Sequence, residues 1–292
     1  MEQAVSTSSG RAAASDRIPQ LRARAARLRE HSLRATSEAG SGHPTSCLSA
    51  ADLVAALFFD VLRYDPRDPG NPDCDRFVLS KGHAAPLLYA AWAEAGALPV
   101  DDLLTLRRID SPLEGHPTPH FPGTVAATGS LGQGLSVGVG LAWNARQLAR
   151  TDQRIYVLCG DGEVAEGSVW EAIALAAHQQ LDNLVAIFDL NGLQADGPPS
   201  VVMSIEPVHE KLRAFGWNVS RVDGNHLSAL LAAFTDARHV QGQPIAIVCD
   251  TLPGKGVPSV ERREKVHYVR PRDPRELDGL VEELEAEAAA WR

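Results

Sequence analysis

Cysteine is scarce and scattered: Cys47, Cys74, Cys159 and Cys249 form no Cys-x-x-Cys pair. That argues against a zinc site or a disulfide framework and for reduced thiols in a cytoplasmic protein. No apolar run approaches bilayer-spanning length, so no membrane segment is expected. Basic charge is in deficit. The net charge of -9 argues against non-specific nucleic-acid binding. Residues 1–16 are rich in Ser and Ala but have no apolar h-region, so they do not read as a secretory signal. They are expected to form a disordered N-terminal segment, with residues 17–292 making one domain. Internal repeats and long linkers are absent as well.

What is present fits a large folded domain. The 292 residues are 44% hydrophobic and 22% charged, enough for a substantial core. Helical patterns are expected at 17–39, 47–59, 84–95, 131–149, 167–180, 205–214, 227–239 and 273–290. Short apolar runs at 76–80, 155–159, 184–188, 217–222 and 244–250 read as strands. Alternating strands and helices imply an α/β fold, a mostly parallel sheet with helices on both faces. Residues 110–128, rich in Pro, Gly, Thr and His, read as a long loop, and such loops in compact domains are usually functional.

Chemistry concentrates at the expected strand ends. One apolar run, Ile155–Cys159, leads into Gly160-Asp161-Gly162. The next, Leu184–Phe188, leads into Asp189-Leu190-Asn191-Gly192. A parallel sheet sets those two ends side by side, where open α/β sheets bind ligands. A carboxylate and a carboxamide together suit Mg²⁺, which takes few protein oxygens and completes its shell with water and phosphate. The glycines admit a bulky anion, and a following helix N-terminus favours negative charge. The plainer reading is a tight turn with Asp161 as a helix cap, but it leaves Asn191 unexplained.

Three histidines lie in Gly-containing loops: His43 in Ser-Gly-His-Pro, His83 in Ser-Lys-Gly-His-Ala and His116 in Glu-Gly-His-Pro. Each can donate to phosphate or sugar hydroxyls and move protons near neutral pH. Their spacing is not that of a transition-metal site. Gly129-Ser130-Leu131-Gly132-Gln133-Gly134 opens a helix. It is neither a dinucleotide fingerprint nor a P-loop. It fits either close backbone approach to a cofactor or neighbouring subunit, or tight helix packing. Thr251–Gly256 follows the last expected strand on the same side as Asp161 and Asn191. Glu166 starts the helix after Gly160-Asp161-Gly162, where a carboxylate favours the helix dipole.

Taken together, in this order and over about residues 20–270, these motifs resemble the cofactor-diphosphate-binding domain of transketolases, a thiamine-diphosphate-binding fold of the PP type. The resemblance implies thiamine diphosphate and Mg²⁺ as cofactors, with Ca²⁺ or Mn²⁺ able to substitute. Asp161, Asn191 and the Leu193 carbonyl would hold the metal. His83, Leu131, Gly132, Gly160, Gly162, Glu163 and His267 would join Asp161 and Asn191 around the cofactor. His43 and His116 would contact the sugar hydroxyls and assist proton transfer, and His83, facing the diphosphate, and Glu166 would join them as catalytic residues. Glu166 would sit at a subunit interface, linked to the activating glutamate of the partner. Two positions depart from the family pattern: Ser130 stands where proline is usual, and Tyr268 follows His267 where small residues are common.

A full transketolase carries two further domains. The expectation is therefore the N-terminal subunit of a split, two-chain transketolase. A separate C-terminal subunit, in an α₂β₂ arrangement on family grounds, would complete the transfer of a two-carbon ketol unit from a ketose to an aldose. Rival readings are an α-type subunit of a thiamine-diphosphate 2-oxoacid dehydrogenase or decarboxylase, and a non-catalytic cofactor-binding relative.

Overall fold

A computed structural model describes residues 14–261, 271 and 273–290. The expectations for residues 1–13, His267 and Tyr268 lie outside these residues. Five strands form one sheet: β1 (Arg76–Leu79), β2 (Ile155–Gly160), β3 (Leu184–Leu190), β4 (Asn218–Asp223) and β5 (Ile245–Asp250). Their order is β1-β2-β3-β5-β4 and every pairing is parallel. The expected α/β architecture is the one observed.

β2 and β3 are buried along their whole length. That explains their unbroken apolar runs, since a strand covered on both faces has no solvent side on which to place polar residues. Side chains alternate across the sheet. Tyr156, Leu158, Val185 and Ile187 enter one core, shared with α1 (Ala14–Glu38), α2 (Pro44–Ala56), α3 (Ala85–Glu94) and α7 (Leu227–Ala237). Ile155, Val157, Cys159, Ala186 and Phe188 enter the other, with α4 (Gln133–Trp143), α5 (Gly167–His178) and α6 (Val208–Ala214). A third cluster around Leu33, Leu48, Val257 and Leu284 ties the short α8 (Pro258–Glu261) and the terminal α9 (Pro274–Ala290) to α1 and α2.

The sequence expectation needs correction at several places. α1 begins at Ala14, so residues 14–16 are helical rather than part of a disordered segment. α2 begins at Pro44, because proline is tolerated in a first turn. Its last part widens into a π-type turn over Leu57–Val61. The same widening ends α4 over Asn144–Ala149. The expected helix at 205–214 starts only at Val208, after a cis Glu206–Pro207 bond. The expectation about apolar runs also fails. Pro44–Val61 is long and apolar enough to cross a membrane by length and composition, but 89% of that stretch is buried inside the fold. It is apolar because it is enclosed by the core shared with α1, α3 and α7 and by the third cluster around Leu48.

Candidate cofactor and metal site

The site grows from the carboxyl ends of β1, β2 and β3. Register pairs Gly160 with Asp189 across β2 and β3, so Asp161 emerges beside Leu190 and Asn191. The loop leaving β3 then folds back onto Asp161. Asp161 Oδ2 accepts the Gly192 N–H at 2.7 Å and the Leu193 N–H at 3.3 Å. Asn191 Oδ1 accepts the same Leu193 N–H at 3.0 Å. The two side-chain oxygens expected to hold a cation therefore converge on one point. Gly192 permits this with a left-handed φ of 73°.

The electrostatics of that point favour a cation. Asp161 is 7% exposed. Burial, and after it the neighbouring Asp189 carboxylate, pushes its pKa up to about 7. Two backbone N–H groups and Lys81 act in the opposite sense without cancelling the effect. Removing a carboxylate from water is costly unless positive charge compensates. A hard divalent ion bound through oxygen supplies that charge, and the donors here are a carboxylate and a carboxamide. The residues fit Mg²⁺. Among the described residues no group of three or more His, Cys, Asp or Glu could hold a metal. This set escapes that description because it contains a single carboxylate.

Beneath the site lies a buried ionic network that the sequence reading missed. Lys81 Nζ donates to Asp189 Oδ2 at 2.5 Å, with Lys81 1% and Asp189 0% exposed. Ser49 Oγ lies 2.9 Å from the same carboxylate oxygen, and Thr251 Oγ1 donates to Oδ1. Lys81 Nζ also reaches the Ser46 carbonyl at 3.2 Å. Ser46 and Ser49, one turn apart, present one face of α2 to the strand ends. The strand expected from the sequence stops at 188, one residue short of Asp189. In fact β3 continues through Leu190, so its side chain is interior. The one signal for Lys81 is its place between two small residues at a strand end.

The histidine loops meet at the same end. His83 Nε2 and Ser46 Oγ are 2.8 Å apart, and the His43 and His83 rings meet edge-on with centroids 5.1 Å apart. His116 arrives by a different route. A Cβ on Gly129 would lie 2.6 Å from the His116 ring, and one on Gly82 would lie 2.7 Å from the Gly129 nitrogen. The 110–128 loop is thus seated on the turn that carries His83, with Thr128 Oγ1 donating to the Leu79 carbonyl at 2.7 Å. Partial burial, and after it the Arg107 charge, lowers the His116 pKa, favouring a neutral imidazole.

The remaining expected residues divide. Glu163 is 1% exposed, and its carboxylate accepts from Ser80 Oγ, from Gly132 N–H at 2.9 Å and from Gly160 N–H at 3.2 Å. It ties together the loops after β1 and β2 and the start of α4. Its oxygens face protein donors, not open surface. Gly132 has a left-handed φ of 87°, and a Cβ there would lie 2.5 Å from Ser168 Oγ. Gly134 and Gly138 lie tightly against Ser80 and Val157, so helix packing accounts for those two glycines. Leu131 and Glu166 are exposed, and Glu166 caps α5 without a side-chain cap bond. Gly162 opens a short turn beside Gln194.

Comparisons with known proteins match the chain to one family and its fold. The family described as transketolase, thiamine diphosphate binding domain, matches residues 21–275. Transketolase-like protein 2 of Bos taurus is 52% identical over 241 residues, which are 82% of this chain and 38% of that protein. Transketolase of Homo sapiens is 49% identical over 251 residues, 86% of this chain and 40% of that protein. The transketolase family protein y4mO of Sinorhizobium fredii is 43% identical over 272 residues, 91% of this chain and 96% of that protein. Transketolase from Leishmania mexicana, 31% identical, superposes with a TM-score of 0.81 over 93% of this chain and 46% of its own. A Pichia stipitis transketolase in complex with sedoheptulose-7-phosphate, 30% identical, gives 0.82 over 93% and 44%. The chain thus spans less than half the length of these mammalian relatives and solved transketolases. With the family matched over most of its length, the chain belongs to the transketolase thiamine diphosphate binding domain family.

Proposed function

We propose that this chain holds the diphosphate and Mg²⁺ of thiamine diphosphate and acts in transketolase-type transfer of a two-carbon ketol unit from a ketose to an aldose. The observation that carries the reading is the convergence of Asp161 Oδ2 and Asn191 Oδ1 on the Leu193 amide at adjoining strand ends. Asp161, Asn191 and the Leu193 carbonyl hold the ion. His83 and Gly162 line the diphosphate side. The bound cofactor supplies the electron sink that lets a carbon–carbon bond next to a carbonyl break. His43 and His116 orient sugar hydroxyls and hold or move their protons. A neutral His116 can accept a proton, in keeping with its lowered pKa. Glu166, exposed at the start of α5, faces a partner. The transketolase reading is preferred to a 2-oxoacid dehydrogenase or decarboxylase subunit because three histidine loops meet at this end of the sheet.

The partner in this reading is a separate chain carrying the remaining transketolase domains, in an α₂β₂ assembly in the cytoplasm. Support comes from y4mO, which this chain covers over 96% of its length. The test is an assay of the chain with ketose, aldose, thiamine diphosphate and Mg²⁺, alone and with such a partner. Turnover only in the mixture is expected. Robust turnover by the lone chain would rule out partner dependence, and pyruvate oxidation in place of ketol transfer would favour the rival enzyme class.

A further inference from the structure

We propose that Ser49 is a positioning residue that fixes the rotation of the Asn191 carboxamide, so that its oxygen rather than its nitrogen faces the cation beside Asp161. The inference rests on the reading that Asp161 and Asn191 hold that cation.

Ser49 is 0% exposed, so water does not complete its hydrogen bonds. Its hydroxyl has one proton and two nearby acceptors: Asp189 Oδ2 at 2.9 Å and the Ser46 carbonyl at 3.1 Å. Asp189 Oδ2 already accepts from Lys81, and Oδ1 accepts from Thr251. The Asp189 carboxylate is charged and 2.9 Å away, against 3.4 Å to the neutral Asn191 amide, so it keeps the Ser49 proton and the hydroxyl has none left to donate. Toward Asn191 it can offer only a lone pair. Asn191 Nδ2 lies 3.4 Å from Ser49 Oγ. A flipped amide would set oxygen lone pairs against each other in a buried site, at the cost of an unmade hydrogen bond. With the nitrogen held toward Ser49, Oδ1 points to the other side. There it accepts the Leu193 N–H that Asp161 also accepts. A metal ligand's orientation is commonly set by such an outer partner. Ser49 lies 142 residues from Asn191, and helix α2 brings it there.

The test is calorimetric titration of the full chain with thiamine diphosphate at a series of fixed free Mg²⁺ or Ca²⁺ concentrations. Ser49→Ala is expected to raise the Mg²⁺ concentration needed for half-maximal binding by roughly tenfold or more. Ca²⁺ tolerates irregular geometry where Mg²⁺ requires a near-ideal octahedron, so the Ca²⁺ requirement should move less. Ser49→Cys, which keeps a weak donor and acceptor in place, should fall between wild type and alanine. It also takes over the comparison if the alanine variant does not fold. A folded Ser49→Ala chain with unchanged requirements for both ions would overturn the proposal. So would an equal loss for both ions accompanied by a lower melting temperature, which would indicate general loosening of α2. If the wild-type chain binds the cofactor without any divalent ion, the metal reading itself falls and takes this inference with it.

Discussion

The side-chain oxygens of Asp161 and Asn191 accept hydrogen bonds from one amide, that of Leu193, at 3.3 and 3.0 Å. A backbone N–H carries only a partial positive charge, so it answers the Asp161 carboxylate incompletely. Asp161→Asn keeps the shape and the acceptor oxygen but removes the charge. Cofactor binding in the presence of Mg²⁺ should weaken by at least about a hundredfold, roughly 2.7 kcal/mol. The metal-free protein should melt no lower than wild type, since a buried carboxylate beside Asp189 has been removed. Calorimetry and thermal unfolding check the two halves separately. Normal thiamine diphosphate affinity in this variant would contradict the assignment.

If Asp161 holds the proposed cation, its raised pKa should make binding depend on pH near neutrality. Its value in the fold is about 7, against an ordinary 3.8. Below about pH 7 the metal-free site carries a proton that the cation must displace, so apparent Mg²⁺ affinity should fall as pH falls, approaching tenfold per unit. Above pH 7 this contribution should flatten. In the metal-free chain the same group acts in the opposite direction. A carboxyl with a raised pKa contributes most to stability at low pH, and that contribution is lost as pH rises from about 4 to about 7. Binding isotherms between pH 6 and 8 measure the first effect. A pH-independent affinity would mean that Asp161 does not contact the ion.

Lys81 and Asp189 form the buried pair beneath the site, and each is costly without the other. Lys81→Met should destabilise the protein by about 3–5 kcal/mol, because it leaves the Asp189 carboxylate buried without its cation. Adding Asp189→Asn should recover part of that loss. Urea unfolding of the two single variants and the double variant gives the coupling. Additive effects would show that the pair does not act as a unit.

The strands were legible because complete burial on both faces leaves a mark in sequence: Ile155–Cys159 and Leu184–Phe188 are unbroken apolar runs. The meeting of Asp161 and Asn191 was legible because each closes such a run, and a parallel sheet aligns the ends of its strands. The network beneath was not legible. A lysine gives no sequence sign that it is buried, and Lys81 meets its partner across 108 residues. Ser49 sits in an apolar helix where serine is unremarkable, and its role depends on how α2 crosses the strand ends. The π-type turns after Ala56 and Trp143 were also invisible, since they depend on packing and not on a capping residue. Glu163 was expected near the cofactor from its place in the motif. Its burial against Ser80, Gly132 and Gly160 follows only from the meeting of three chain segments.

The most direct test is a crystal structure of the chain grown with thiamine diphosphate and Mn²⁺, read by the metal's anomalous scattering. The account predicts one strong peak bonded to Asp161, to Asn191 Oδ1 and to the Leu193 carbonyl, with diphosphate oxygens completing its shell. A cofactor bound with its metal elsewhere, or with the Asn191 amide nitrogen turned toward the ion, would contradict it.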